Sequence, residues 1–512
     1  MIPVPSLSDF NLQYTLPALS LTVWACILLL VDLWVPRERK ETTAWLAAGG
    51  VVFAFIANAF LFNVDGEAML GMFRADQFTA FSNVIILATA FIGILLSVDY
   101  LKRTGIERGE YYTMLLFTIV GTMWMVAAND LIAVFVALEL LSIPLYVLAA
   151  FRSPDVKSEE SGLKYFILGA FASAFFVYGA ALIYGATGTT SIPAILQSVN
   201  ATLFGGAAAN AGAAQLLLLL GSGLLLVGLG FKVAAAPFHM WTPDVYEGAP
   251  TPITAIMSIT AKAGGFAALL RIFGTGLATL APAASASSTD WQTIMWILAA
   301  ATMIIGNLLA VVQTNIKRLL AYSSIAHGGY ILMAVAATGT ISIGTGLPNT
   351  AAQAALFYML AYMFTNIGAF AIAMAVEKND GSGTNIEDFV GLGKSRPALA
   401  LMMAVFMLSL TGIPGTAGFI AKIFVFQSTL EAGLVPLAVI GVLTSVISGY
   451  YYLRVVINMY LREGVGDKAE AATGYLNWAI YASFAGTLLL GILPFLATDL
   501  TQNVSLVASL FP

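Results

Sequence analysis

The chain has 512 residues, 59% of them hydrophobic and only 10% charged, with a mean hydropathy of +0.89. Soluble domains carry roughly 25% charged residues, so a water-soluble globule of this length would lack the polar surface to cover itself, and a soluble enzyme is excluded. The net charge of −5 comes with no concentration of Lys and Arg, which argues against nucleic acid as a partner.

A membrane-spanning helix needs about 20 mostly apolar residues. Runs of that kind number about fourteen. They fall at 13–34, 43–63, 78–98, 111–127, 131–151, 162–185, 213–231 with a continuation to about 247, 254–274, 291–311, 318–338, 352–376, 398–430 with a break, 435–460 and 474–496. The expected fold is an all-α polytopic membrane protein in the lipid bilayer, a single membrane domain over 1–512. It divides into N-terminal spans (1–110), two units at 111–274 and 291–460, and a last span at 474–496.

Basic residues cluster in alternate loops: Arg37, Arg39 and Lys40; Lys102, Arg103 and Arg108; Arg152, Lys157 and Lys164; Lys317 and Arg318; Lys378, Lys394 and Arg396; Arg462 and Lys468. By the positive-inside rule these loops face the cytoplasm, which gives an even span count with both termini on the non-cytoplasmic side. Met1 to Leu12 lack the basic stretch of a signal peptide, so the first span is expected to be retained. The loops 186–212 and 275–290, rich in Ala, Gly and Ser, are expected to pack on the bundle. Cys26, in the first span, is the single cysteine; it excludes a Cys-ligated cluster and is expected to pack. His239 and His327 are the two histidines, and their surroundings argue against a shared haem. No cofactor-binding or metal-binding residue is legible. The GKS within GLGKSRP (Gly391 to Pro397) lacks the earlier glycine and the preceding strand of a phosphate loop and reads as a cytoplasmic loop.

Ionisable residues deep in apolar sequence are costly and point to function. Glu139, Lys232, Lys262, Lys422 and Arg454 are of this kind. Arg454, near a cytoplasmic end, can snorkel and reads as structural. For the others, desolvation disfavours a charged amine while a nearby carboxylate favours it. Glu139 beside Lys232, followed by two further lysines, therefore suits proton movement. Pro237 follows Lys232 by five residues, and TGIPGTAG (Thr411 to Gly418) precedes Lys422; both free backbone carbonyls in the membrane interior. Broken helices in two halves of a transporter mark a path at mid-depth. Here they fall in spans seven and twelve, which suggests two related five-helix units, spans 4–8 and 9–13. His239, two turns or ~10.5 Å beyond Lys232 on a continuous helix, is either a relay or an interfacial residue beside Trp241. His327, ten residues after Lys317 and near Tyr322, Ser323 and Ser324, is either a relay or part of polar helix packing.

PFHMWTPDVYEGAPTPITA (Pro237 to Ala255), the Lys262 region, IKRLLAYSSIAHGGYILM (Ile316 to Met333) and GIPGTAGFIAKIFVF (Gly412 to Phe426) resemble the N-type, or subunit 2, family of antiporter-like subunits of NADH-quinone oxidoreductase, respiratory complex I. The span pattern matches over essentially the whole chain. The resemblance implies inverted five-helix repeats and a proton path through Glu139, Lys232, Lys262 and Lys422. His239, His327, Lys164, Lys317 and Glu110 would support it. The lysine at 422 agrees with the N-type rather than the M-type pattern. The resemblance further implies M-type and K-type membrane neighbours and a redox arm. FMN, iron–sulfur clusters and quinone would be held in those partner subunits, with NAD(P)H or ferredoxin as donor. It places the chain in a bacterial inner membrane or a thylakoid membrane. The alternative it leaves is a subunit of a multi-subunit cation/proton antiporter.

Overall fold

The computed structural model describes residues 5–204, 211–277, 290–338, 350–463, 474–501 and 504. Three helices, α1 (Leu16–Val31), α2 (Glu41–Ala59) and α3 (Gln77–Thr104), lead into α4 (Gly109–Ala127), α5 (Leu131–Ala149), α6 (Val156–Thr187), α7 (Ile192–Phe204), α8 (Ala211–Val233), α9 (Thr242–Gly248) and α10 (Thr251–Arg271). After them come α11 (Asp290–Val311), α12 (Ile316–Ala337), α13 (Thr350–Val376), α14 (Leu392–Ser395), α15 (Pro397–Thr411), α16 (Ala417–Glu431), α17 (Val435–Leu461), α18 (Gly474–Ile492) and α19 (Phe495–Thr501). Among the described residues, twelve helices are long and apolar enough to cross a membrane.

Short polar residues set the helix starts. The side chains of Asp130, Asp155 and Asn315 accept first-turn N–H groups at 2.8, 2.9 and 2.9 Å, satisfying donors that a helix start leaves open. Burial sorts the helices. Every residue of α10 is buried, because it packs among α3, α4, α8, α12 and α13. Outer helices instead turn large apolar side chains outward, as at Phe171 of α6 and Val446 of α17. The inner helices tolerate hydroxyls because these bond back along the helix, as Thr89 does to Ile85 O at 2.7 Å and Thr122 to Thr118 O at 2.8 Å. At Gly121 the α4 and α5 backbones meet so closely that a Cβ would stand 2.3 Å from the Leu141 nitrogen.

Both expected breaks are present. α8 stops at Val233, and Ala234 takes a positive φ of 60°. α15 stops at Thr411, Gly412 and Gly415 take φ of 92° and 89°, and α16 begins at Ala417. The first break differs from the expected continuation to about 247: residues 234–241 leave the helix and only Thr242–Gly248 resume one. Pro237, which lacks an N–H, helps to account for the gap, and the two-turn spacing of His239 from Lys232 is lost.

Other differences have similarly local causes. A two-stranded hairpin, β1 (Gly66–Ala68) paired antiparallel with β2 (Phe73–Ala75), lies between α2 and α3; its strands are too short to show a period. The 186–212 stretch is not all loop. α7 buries Ile192, Ile195, Leu196 and Val199, an i, i+3, i+4, i+7 stripe. Part of that stretch (205–210), most of 275–290, and Lys468 lie outside the described residues. The GLGKSRP segment holds the single turn α14. Cys26 does not pack inward; it is exposed on α1.

Candidate functional site

Three lysines are buried at or near the breaks. Lys232, in the last turn of α8, donates to Ser142 Oγ of α5 at 2.7 Å and, more weakly, to Tyr165 OH of α6 at 3.5 Å. Tyr165 is held in place by stacking on Trp241 at 4.4 Å, from the segment beyond the break. Lys262, on α10, donates to the Ser324 carbonyl of α12 and lies 6.0 Å from the centre of the Tyr362 ring. Lys422, on α16, donates to the carbonyls of Leu410 and Thr411 at 3.1 and 2.7 Å and to Ser445 Oγ at 2.7 Å. An ammonium has three donors, and all three are used here. Two go to carbonyls that the break after Thr411 leaves without a continuing helix.

None of the three amines is paired with a carboxylate among the described residues. Glu139 is half-buried on α5, one turn before Ser142 and close enough for its charge to act on Lys232. The expected Glu139–Lys232 contact is nevertheless not a direct ion pair. Ser142 takes the amine's hydrogen bond instead, and its own hydroxyl bonds to Leu138 O.

His327 of α12 stands in the interior between Lys262 and Lys422, within electrostatic reach of both. Its Nδ1 meets Tyr358 OH at 2.7 Å, its Nε2 meets Tyr452 OH at 3.2 Å, and its ring stacks on Tyr362 at 4.9 Å. Tyr452 OH continues to Ser323 Oγ at 2.5 Å. On the other side, Lys422 lies 5.0 Å from the centre of the Tyr330 ring, whose hydroxyl meets Thr444 Oγ1 at 3.4 Å. Gly328 keeps room for this arrangement, since a Cβ there would stand 3.2 Å from Lys262 Nζ.

The supporting candidates divide. Lys317 is buried on the first turn of α12 and donates to Ala249 O at 2.7 Å. Seven residues on, Ser324 lies on the same helix face. Lys164 is 40% exposed and tied at 2.6 Å to Glu160 and 2.7 Å to Asp244, away from the buried row. Asp244 and Glu247 of α9 also hold Arg318 at 2.8 and 3.0 Å, so the WTPDVYEGAPTP motif anchors the short half of the broken span to α6 and α12. His239 sits half-buried in the turn before α9, its Nδ1 without a hydrogen-bond partner among the described residues. Glu110 is exposed on the first turn of α4. Arg454 donates to the carbonyls of Val311, at 3.0 Å, and Gln313, so it closes the end of α11. Sequence reasoning missed Ser142, Ser445, Tyr358, Tyr362 and Tyr452. The i, i+4 spacing of Tyr358 and Tyr362 was the one available signal.

The family model described as NADH:quinone oxidoreductase/Mrp antiporter, TM, matches residues 128–448. The chain is 45% identical to NADH-quinone oxidoreductase subunit N of Trichlorobacter lovleyi, over 96% of each. It belongs to the subunit N family. Among solved structures, a chain of respiratory complex I from Thermus thermophilus with bound aureothin aligns at a TM-score of 0.75 and 33% identity, covering 94% of this chain and 98% of that one. A chain of the Mrp complex from a Dietzia species has the same fold, with a TM-score of 0.79 at 21% identity and 96% of each chain covered. The subunit N family thus shares its architecture with antiporter subunits, and it is the long sequence match that separates the two.

Proposed function

We propose that the chain is a proton-translocating membrane-arm subunit of a respiratory NADH-quinone oxidoreductase. Protons move along Glu139, Lys232, Lys262 and Lys422, with His327 between the last two, and quinone reduction in other subunits drives them. The observation that carries this reading is the row of three buried amines, solvated by hydroxyls and carbonyls and, among the described residues, without a directly paired carboxylate. Such groups are costly as scaffolding, whereas an amine that gives up its proton avoids that cost. FMN, iron–sulfur clusters and quinone belong to partner subunits, and the chain sits between M-type and K-type neighbours.

The reading takes fourteen crossings: α4 and the broken pair α15/α16 are added to the twelve long apolar helices. Two inverted five-helix repeats lie within 111–274 and 291–460 of a single membrane domain. The termini lie on the non-cytoplasmic side of a bacterial inner membrane. The shared fold of the Mrp complex keeps a second reading in view, a cation/proton antiporter subunit. Purification of the native assembly separates them. Flavin and iron–sulfur absorbance, with NADH-driven acidification of vesicles that Lys262→Gln abolishes, is the expected result. An assembly without redox centres that exchanges cations for protons would overturn it.

A further inference from the structure

Among the described residues four carboxylates are buried outside the lysine row, Asp32, Asp76, Asp130 and Glu377, and Glu377 is the one that meets the first turn of α10, the helix of Lys262. Glu377 follows the last turn of α13 with its side chain 2% exposed, yet the next residue, Lys378, is exposed on a basic loop. The Glu377 carboxylate accepts from Thr251 Oγ1 at 2.5 Å and from Tyr100 OH at 3.2 Å, and Arg152 stands 3.6 Å away. That guanidinium is shared. It also lies 3.6 Å from Asp155 and donates to Asn379 O at 3.1 Å. Arg152 is thus divided between two carboxylates and a carbonyl.

Thr251 opens α10, the helix that carries Lys262. Thr251, Thr254, Ser258 and Lys262 are all buried, and their i, i+3, i+7, i+11 spacing puts them on one face, ~16 Å long at ~1.5 Å per residue. Two side connections join this face. Asn366 Nδ2 of α13 donates to Ser258 Oγ at 2.7 Å, while its Oδ1 is buried with no hydrogen-bond partner among the described residues, an acceptor placed for a bridging water. Thr254 donates to Tyr246 O at 3.0 Å, and Tyr246 OH meets Ser324 Oγ at 3.4 Å, on the residue whose carbonyl holds Lys262. Hydroxyls that only bond back along their own helix need no function. A buried carboxylate at one end of the face and an orphaned amide oxygen beside its middle are not explained that way.

We propose that Glu377 and the hydroxyl face of α10, with Asn366 beside it, form the inlet through which protons from the basic-loop side reach Lys262. The inlet rests on the reading of Lys262 as a proton carrier. A proton from solvent forms an O–H bond at Glu377. That bond breaks as Thr251 or a bridging water accepts the proton and passes another on, and the last transfer forms an N–H bond on the neutral amine of Lys262. One proton moves and no electron does.

The test uses the intact complex in sealed vesicles, comparing Glu377→Gln, Ser258→Ala and Glu377→Asp with Lys262→Gln. Glu377→Gln and Ser258→Ala are expected to slow coupled pumping by roughly a hundredfold and to raise its H2O/D2O isotope effect, with Glu377→Asp recovering much of the rate. Ser258→Ala leaves the Arg152–Glu377 pair intact, so it carries the test should Glu377→Gln fail to assemble. If Lys262→Gln stops pumping while Ser258→Ala and Glu377→Gln keep the wild-type rate and isotope effect, the inlet is overturned and the carrier reading stands. Loss of yield with an unchanged isotope effect in what assembles would make Glu377 a structural clamp and also overturn it. Normal pumping by Lys262→Gln would remove both readings.

Discussion

Ser142 separates Glu139 from Lys232, and this changes what each substitution should do. Lys232 loses its 2.7 Å acceptor in Ser142→Ala; a hydrogen bond to a charged group is worth about 1.5–3 kcal/mol, so pumping should fall roughly ten- to hundredfold with assembly intact. Glu139→Gln removes a charge that acts on Lys232 without touching it. It should impair pumping and coupled electron transfer together, and wild-type acidification in a pH-dye assay would count against any role for the pair. Lys422→Arg asks a different question. Arginine stays charged, with a pKa above 12, so the positive charge is kept and the transferable proton is lost; proton release should drop in the assembled complex, with Lys422→Gln as the control for bulk. A wild-type proton-per-electron ratio in Lys422→Arg would mean that the exit runs elsewhere. The lysines were legible in the sequence because a charge midway along an apolar run is costly and points to function, whereas Arg454, near a span end, can snorkel. Ser142, Ser445 and Tyr452 were not, because hydroxyls are ordinary in such helices and gain significance only when another helix brings an amine or imidazole to them.

Breaks were legible as elements because proline and glycine announce them, but their geometry was not. The α15–α16 break works through Gly412, whose φ of 92° suits glycine and whose missing Cβ leaves room for the Lys422 stem, 2.9 Å from where that atom would sit. Gly412→Ala should therefore cost about 1–2 kcal/mol through the left-handed backbone alone, with further loss from displacing Lys422. A lower melting temperature of the purified complex would register the first effect and reduced pumping the second; an unchanged melting temperature would contradict the backbone argument. The α8–α9 break is organised differently. Its short half is held by Lys164, Arg318, Asp244 and Glu247 at a partly exposed surface, where ion pairs contribute little to stability. Those charged partners could be listed from the sequence, but their pairing could not, since Asp244 meets residues far away in the chain. The hairpin and α7 escaped notice for a related reason: the strands are shorter than one readable period, and α7 lies within a stretch dominated by small residues.

At the scale of the whole molecule, the number of crossings decides which loops share a side. α4 is not among the twelve long apolar helices, yet its 19 residues reach about 28 Å at ~1.5 Å per residue, close to the ~30 Å of a bilayer core. Its lower hydropathy follows from position. It packs among α1, α3, α5 and α10, so Thr113, Thr118 and Thr122 are buried against protein, and the helix need not be dressed for lipid. Between the hairpin and the loop after α13, α3, α4, α5, α6, the α8/α9 pair, α10, α11, α12 and α13 give nine crossings, and omission of α4 gives eight. Nine puts the hairpin and that loop on opposite sides; eight puts them on the same side. Leu70 and Ser382 are exposed at these two places. With Cys26, itself exposed, replaced by alanine, Leu70→Cys and Ser382→Cys can be labelled with a membrane-impermeant maleimide in right-side-out and inverted vesicles. Ser382→Cys should react only from the cytoplasmic side, because basic residues flank it at Lys378, Lys394 and Arg396, and Leu70→Cys only from the opposite side. Labelling of both from one side would take α4 out of the crossings and, with it, the inverted pairing of the two units that places Lys232 and Lys422 as counterparts.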